Sequence, residues 1–155
     1  METASRVNSE RLSALYARIS LGAAFLSAVA DRFGLWGKYG GWGDFTTFTR
    51  YTAQVNSFLP ASLIPLVAWA ATIAETALGT LLILGLWPRW VALASAILLA
   101  MFGAAMAISF GIKSPLDYSV FSASGAAALL ALRSLNQNAK QAGKQDFNRP
   151  QGGQS

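Results

Sequence analysis

Glu75 is the one charge in the apolar stretch from Ser62 to Trp87, twelve residues from Leu63 and twelve from Trp87. In a helix crossing hydrocarbon this spacing puts its carboxyl near the midplane, where an ionised group costs about 2.5–3.5 kcal/mol on insertion scales. Such a residue faces a partner or a wet cavity. At helical spacing it shares a face with Thr72, Thr76 and Gly79, a small and polar stripe suited to a packed interhelical surface. Two chemistries fit the position: a proton-titrating or ligand-binding carboxylate, or a structural ion pair or protonated, hydrogen-bonded side chain. Arg18 is the obvious partner by charge. At 100° per residue it lines up with Gly22, Phe25, Val29 and Arg32 on one face of the first apolar segment. The depths disagree: Arg18 lies roughly 9 Å from one edge and Glu75 about 18 Å, at 1.5 Å per residue. Helical side chains also lean toward their own N-termini, which draws Arg18 and Glu75 apart. A direct pair, a snorkelling Arg18, and a water or ligand (quinone or anion) between the two all remain open. Thr72 and Arg32 complete the set of candidate ligand or proton-site residues.

The connection 31–61 carries a second constellation. Phe45, Phe48, Tyr51, Val55 and Phe58 recur at three- and four-residue intervals behind Asp44, a candidate N-cap, with Thr46, Thr47, Arg50 and Gln54 opposite. This predicts an amphipathic helix at about 44–58 on or in the outer leaflet, either a lid over the bundle (Phe45, Phe48 and Tyr51 being its candidate residues) or a passive cap. Gly34, Gly37, Gly40, Gly41 and Gly43 make the lead-in flexible, but no GxxxxGK[ST] pattern is present to cradle phosphate. Gly103, Ala107 and Gly111 form a small-xxx-small row for helix packing, within the chain or across a homodimer. Ser119, Ser122, Ser124 and Gly125 read as packing residues, because no base accompanies the hydroxyls. Lys113 and Asp117 read as an exposed pair of little energetic weight. The chain has no Cys and no His. That excludes disulfides, Cys/His metal sites, histidine-ligated haem and Cys- or His-based triads. No metal site and no intrinsic cofactor are expected, and the catalytic residues, if there are any, are not specified.

The elements that position these residues are helices in a membrane. Charged residues make up 12% of the chain and hydrophobic ones 54%, too little charge to coat a soluble globule of 155 residues, which needs about 25%. Four apolar segments, at about 12–32, 62–87, 90–112 and 117–133, predict an all-α transmembrane four-helix bundle with the interfacial helix in its first outer loop. The four-helix domain then occupies 12–134, preceded by a cytoplasmic segment 1–11 and followed by a disordered polar tail, 135–155. Trp87 and Trp90 flank the tight turn at Pro88, and Trp36 and Trp42 mark the opposite interface. Arg6, Arg11, Arg89, Arg133, Lys140, Lys144 and Arg149 outnumber Arg32, Lys38, Arg50 and Lys113 on the other side. The excess puts both termini in the cytoplasm, in a bacterial inner membrane. A rival reading takes the first segment as a signal peptide cleaved near Ala28-Val29-Ala30. The scattered basic residues give no nucleic-acid pattern.

Two motifs resemble a known family. Arg18-Ile19-Ser20-Leu21-Gly22 with Phe25, and Glu75-x3-Gly79-x5-Gly85-x3-Arg89, resemble the DoxX-like family of small four-helix membrane proteins over residues 12–132. Members often carry Gly and then Lys near the end of the first helix. Here the region reads Ser27-Ala28-Val29-Ala30-Asp31-Arg32, so the basic role is moved to Arg32 or lost. The resemblance implies a membrane subunit of a redox-associated complex, with a non-covalently bound quinone and a redox partner subunit, because some relatives are linked with quinone-coupled sulfur oxidation or oxidative-stress complexes. Two other functions fit the residues: a small proton-coupled transporter using the midplane Glu75, and a non-catalytic scaffold.

Overall fold

A computed structural model describes the backbone of residues 2–147 and the side chains of residues 8–134. Six α-helices follow one another: α1 (Glu2–Arg32), α2 (Phe45–Val55), α3 (Ile64–Leu84), α4 (Pro88–Phe110), α5 (Lys113–Asp117) and α6 (Val120–Phe147), with short 3-10 turns at Gly37–Tyr39 and Ala61–Leu63. No strand occurs among the described residues. Asn8–Arg32, Ala61–Leu84 and Pro88–Phe110 are each long and apolar enough to cross a membrane, and Val120–Ser134 is a shorter apolar helix. The protein is therefore an all-helical membrane protein with three to four spans.

Helix boundaries follow local chemistry. Asp44 caps α2, its carboxylate accepting from the Thr47 amide at 2.8 Å and the Thr47 hydroxyl at 2.9 Å. Those two bonds hold the exposed carboxyl below its ordinary pKa. Gly85, in the left-handed region at φ 74°, closes α3, and both its amide and that of Leu86 return to the Leu81 carbonyl. Pro88 starts α4 at the first turn, where the missing amide costs nothing. The intervening turn is so short that α3 and α4 must run antiparallel.

Both ends of the chain differ from the expected boundaries. The polar segment 1–11 is helical from Glu2, continuous with the apolar part of α1, and α6 runs past residue 133 to Phe147. Neither stretch contains Pro; the first carries Glu, Arg and Ala and the second Gln, Lys and Ala, all compatible with a helix. Residues 148–155 of the expected disordered tail lie outside the described residues. α1 and α6 meet where Arg133 pairs with the Glu10 carboxylate at 3.9 Å, so the N-terminal part of α1 lies beside the middle of α6.

The bundle is two helix pairs, α1 on α3 and α4 on α6, joined by sparser α3–α4 and α1–α6 contacts. In the half nearest the termini the pairs close over a core of Leu21, Phe25, Leu82, Ala92, Ala96 and Leu130, among others. Large apolar side chains such as Leu66, Ile73, Ile97, Met101, Ile108 and Leu129 point outward, as lipid contact requires and water would not tolerate. Gly103 packs against Phe121 of α6, so the expected small-residue row works within the chain. Gly111 is not part of that row: it sits at φ 84° and caps α4. Ser124 donates to the Ala96 carbonyl at 2.8 Å, tying α6 to α4.

Gly22 and Gly79 set the closeness of α1 and α3. A Cβ on Gly22 would fall 2.8 Å from the Gly79 carbonyl oxygen and 2.7 Å from Ile83 Cγ1, and one on Gly79 would fall 3.0 Å from the Gly22 oxygen. Gly125, by contrast, has nothing within 4 Å of such a Cβ. Gly22→Leu is expected to force the pair apart at a cost of about 1–3 kcal/mol or more, as overpacking does. Gly125→Ala should leave stability unchanged or raised. Thermal unfolding of the purified protein in detergent measures both, and equal midpoints for the two variants would refute this packing.

Candidate functional site

α1 and α3 run antiparallel, and their side-chain lean decides which groups meet. Arg32 ends α1 and leans back along the bundle. Glu75 lies in mid-α3 and leans toward the start of α3, at the same end of the bundle as Arg32. They converge: Arg32 Nη2 donates to both Glu75 oxygens, each at 2.7 Å. Arg32 Nη1 donates to the Thr72 hydroxyl at 2.8 Å, which in turn donates to the Ala68 carbonyl at 2.8 Å. Thr72 thus spends its proton on its own helix and offers a lone pair to the guanidinium. Arg32 is 3% and Glu75 2% exposed, so the pair is withdrawn from solvent altogether.

Arg18 is not the partner of Glu75. It lies seven or eight residues further along α3, where its Nε donates to the Leu82 carbonyl at 3.0 Å and its Nη2 to the Ile83 carbonyl at 3.4 Å. These are carbonyls at the end of α3 with no partner inside the helix, and the cation also meets the negative end of the helix dipole. The shared face of Arg18, Gly22 and Arg32 is real. Its three members cap the end of α3, permit close approach and neutralise Glu75.

α2 closes the site from above. Phe48, Thr52 and Val55 are its buried residues, while Phe58, expected on the same face, lies beyond the helix and is 54% exposed. The Phe48 ring lies under the Arg32 guanidinium, 3.8 Å from ring centroid to Cζ, and Trp42 stands 5.6 Å away. Trp42 packs edge-on to Phe48 at 5.1 Å and near Tyr51 at 5.7 Å. Phe45 extends this group outward, 5.9 Å from Phe48, stacked on Phe33 at 5.9 Å and tilted against Trp69 at 4.4 Å. Asp31 pins the glycine-rich lead-in: its Oδ2 accepts from the Gly41 amide at 2.9 Å and the Trp42 amide at 3.1 Å. Asp31 Oδ1 and Arg32 Nε are buried with no hydrogen-bond partner.

Below α2, in the half of the bundle away from the termini, the two helix pairs part around a chamber of about 570 Å3. That size and its mainly apolar lining suit a small organic molecule. α1 contributes Ala24, Phe25 and Ala28, α3 Val67 and Ala71, α4 Leu99, Phe102 and Met106, and the start of α6 Val120 and Ala123. Its polar groups are Asp31, Arg32 and Glu75 on one wall, and Tyr51, Thr52, Asn56 and Tyr118 around α2 and the α5–α6 corner. Of the residues singled out from sequence, the structure gathers Glu75, Arg32, Phe48 and Tyr51 at this chamber, bonds Thr72 to Arg32 outside its lining, and leaves Arg18 and Phe45 apart from it. Trp42, Asn56 and Tyr118 carried no periodic signal. Trp42 read from sequence only as a marker of the interface, two residues ahead of the α2 cap. Among the described residues no cluster of His, Cys, Asp or Glu could hold a metal.

The resemblance to the DoxX-like family is overturned by comparison with family models. The motif residues behind it are structural here: Gly22 and Gly79 pack, Gly85 caps, Arg18 binds the end of α3, and Arg89 lies 4.7 Å over the Trp90 ring. Residues that serve tight helix pairing in this way are poor markers of one family. No curated protein and no solved structure gives a significant match. The family model that matches is that of the methylamine utilisation protein MauE, over residues 10–117, from the first membrane-length stretch through α5. That stretch contains Arg32, Glu75, Thr72, the α2 roof and three of the chamber's four helical walls, and the chain belongs to the MauE family.

Proposed function

We propose that this protein is the ligand-holding membrane subunit of a redox-related methylamine utilisation system, with an amphipathic molecule of the quinone type seated non-covalently in its chamber and a redox partner subunit alongside. The observation that carries the reading is the chamber itself: about 570 Å3, walled mainly by apolar side chains, with Glu75 paired to Arg32 and Asp31 engaged by the Gly41 and Trp42 amides. Such a space suits a ligand that is largely apolar and uncharged. A quinone would supply two-electron chemistry when bound. The residues of this chain bind and orient it and shield it from water. The absence of Cys and His leaves the chain without thiol or imidazole groups for redox work of its own.

The carrier reading loses support from the geometry. A proton-coupled Glu must be free to change charge during transport, yet both Glu75 oxygens are held by Arg32 within a buried, aromatic-roofed site. The distribution of basic residues favours both termini on the cytoplasmic side of a bacterial inner membrane, with α2 at the outer face.

Two measurements test this. Protein purified from native membrane in mild detergent should carry quinone in near one-to-one amount by mass spectrometry of the extract, well above its share of bulk lipid. Quinone at or below the bulk proportion would refute the reading. Reporter fusions after residues 34, 86 and 112 and at the C-terminus should alternate outside, inside, outside, inside; a C-terminal reporter outside would overturn the orientation.

A further inference from the structure

One part of the chamber is not used by the ion pair. Tyr51, on α2, and Tyr118, at the corner between α5 and α6, both line it. Tyr118 is 72% exposed and yet lines the chamber, so it stands at the rim, and Tyr51, half-buried, faces the same space from the roof. The Tyr51 ring is held in place, packed 5.7 Å from Trp42 and 6.3 Å from Phe110. Tyr118 ends α5, its amide donating to the Ser114 carbonyl at 3.3 Å, and the next residue, Ser119, turns the chain into α6 at φ 55°. Beside them Asn56 is committed through Nδ2 to the Thr52 carbonyl at 2.9 Å, and Thr52 through its hydroxyl to the Phe48 carbonyl at 2.9 Å. The two phenols are the chamber's uncommitted hydroxyl donors on this side.

We infer that Tyr51 and Tyr118 form the head-group subsite of the chamber, donating their hydroxyl protons to an acceptor oxygen of an uncharged amphipathic ligand whose apolar body lies between the two helix pairs. The inference rests on reading the chamber as a ligand-holding space and names the chemistry that selects its occupant. A carbonyl, ester or dione oxygen accepts from a phenol. A hydrocarbon offers neither phenol an acceptor and covers the half-buried Tyr51 hydroxyl without one, a cost that sharpens discrimination. The Tyr51 phenol sits above its ordinary pKa because burial and the neighbouring Tyr118 both oppose its ionisation, so it remains a donor across the physiological range. Arg32 and Glu75 are not part of this subsite: Arg32 Nη1 and Nη2 are engaged by Thr72 and Glu75, and its partnerless Nε lies on the α1 side of the chamber, away from the α5–α6 corner where Tyr118 stands.

The test uses the purified full chain in detergent, exposed to an equimolar mixture of decylubiquinone, methyl undecanoate and undecane, with bound probe measured by mass spectrometry. Wild type, Tyr51→Phe, Tyr118→Phe and the double variant are compared. Phe keeps each ring and its packing, and an unchanged melting temperature confirms that each variant is folded. The wild type should enrich oxygen-bearing probes over undecane. Each single substitution should narrow that ratio about five- to tenfold, the worth of one hydrogen bond, and the double variant should abolish it. No preference in the wild type, or a preference that survives in the double variant, overturns the inference. Enrichment of methyl undecanoate without decylubiquinone, lost in the double variant, supports the tyrosine subsite and counts against the quinone reading alone.

Discussion

A buried ion pair in a low-dielectric surrounding holds this structure to one arrangement. Arg32 and Glu75 are each expensive to bury alone, and the cost of leaving one without the other, about 3–5 kcal/mol in protein interiors, exceeds most single packing terms. Their meeting fixes the register of α1 against α3. Once Arg32 is level with Thr72 and Glu75, Gly22 falls opposite Gly79 and Arg18 falls at the end of α3. The three contacts form a line down one helix pair, and sliding α1 by a turn would break all of them together.

The roof depends on the same pair. Arg32 presents its edge to Thr72 and Glu75 and its flat face to Phe48, so the amphipathic helix α2 is anchored to the bundle by a cation as well as by apolar burial. Asp31, the neighbour of Arg32, holds the Gly41–Trp42 lead-in and so places Trp42 against Phe48. With α1 and α3 joined on one side and α4 and α6 on the other, the space left between the pairs at the α2 end is the chamber. The ion pair thus forms part of the chamber wall and ties α1, α3 and the α2 roof together.

Much of this was legible in the sequence. The apolar segments, the midplane carboxylate, the Asp44 cap and the aromatic spacing of α2 follow from periodicity and from the cost of charge in lipid, which are local properties. The partner of Glu75 was harder. Arg18 and Arg32 share a helix face, and only the direction of side-chain lean separates them: it carries Arg18 away from Glu75 and Arg32 toward it. Trp42 read only as an interface marker and Tyr118 not as a site residue at all, because each lies outside the helices, where no period marks a face. Gly111 read as part of a packing row because a glycine that caps a helix and one that packs look alike in sequence. The motifs behind the DoxX-like resemblance misled for a related reason: glycines and arginines that serve helix pairing recur wherever helices pack closely.

The most direct test of the account is a double-mutant cycle on Arg32→Gln and Glu75→Gln, read as unfolding free energy in detergent or bicelles. The account predicts that each single substitution strips a buried charge of its partner and destabilises strongly, while the double variant recovers much of the loss, giving a coupling of about 2 kcal/mol or more. Effects of the two substitutions that simply add would contradict it, because the two side chains would then contribute separately and the register of α1 on α3 would have another cause.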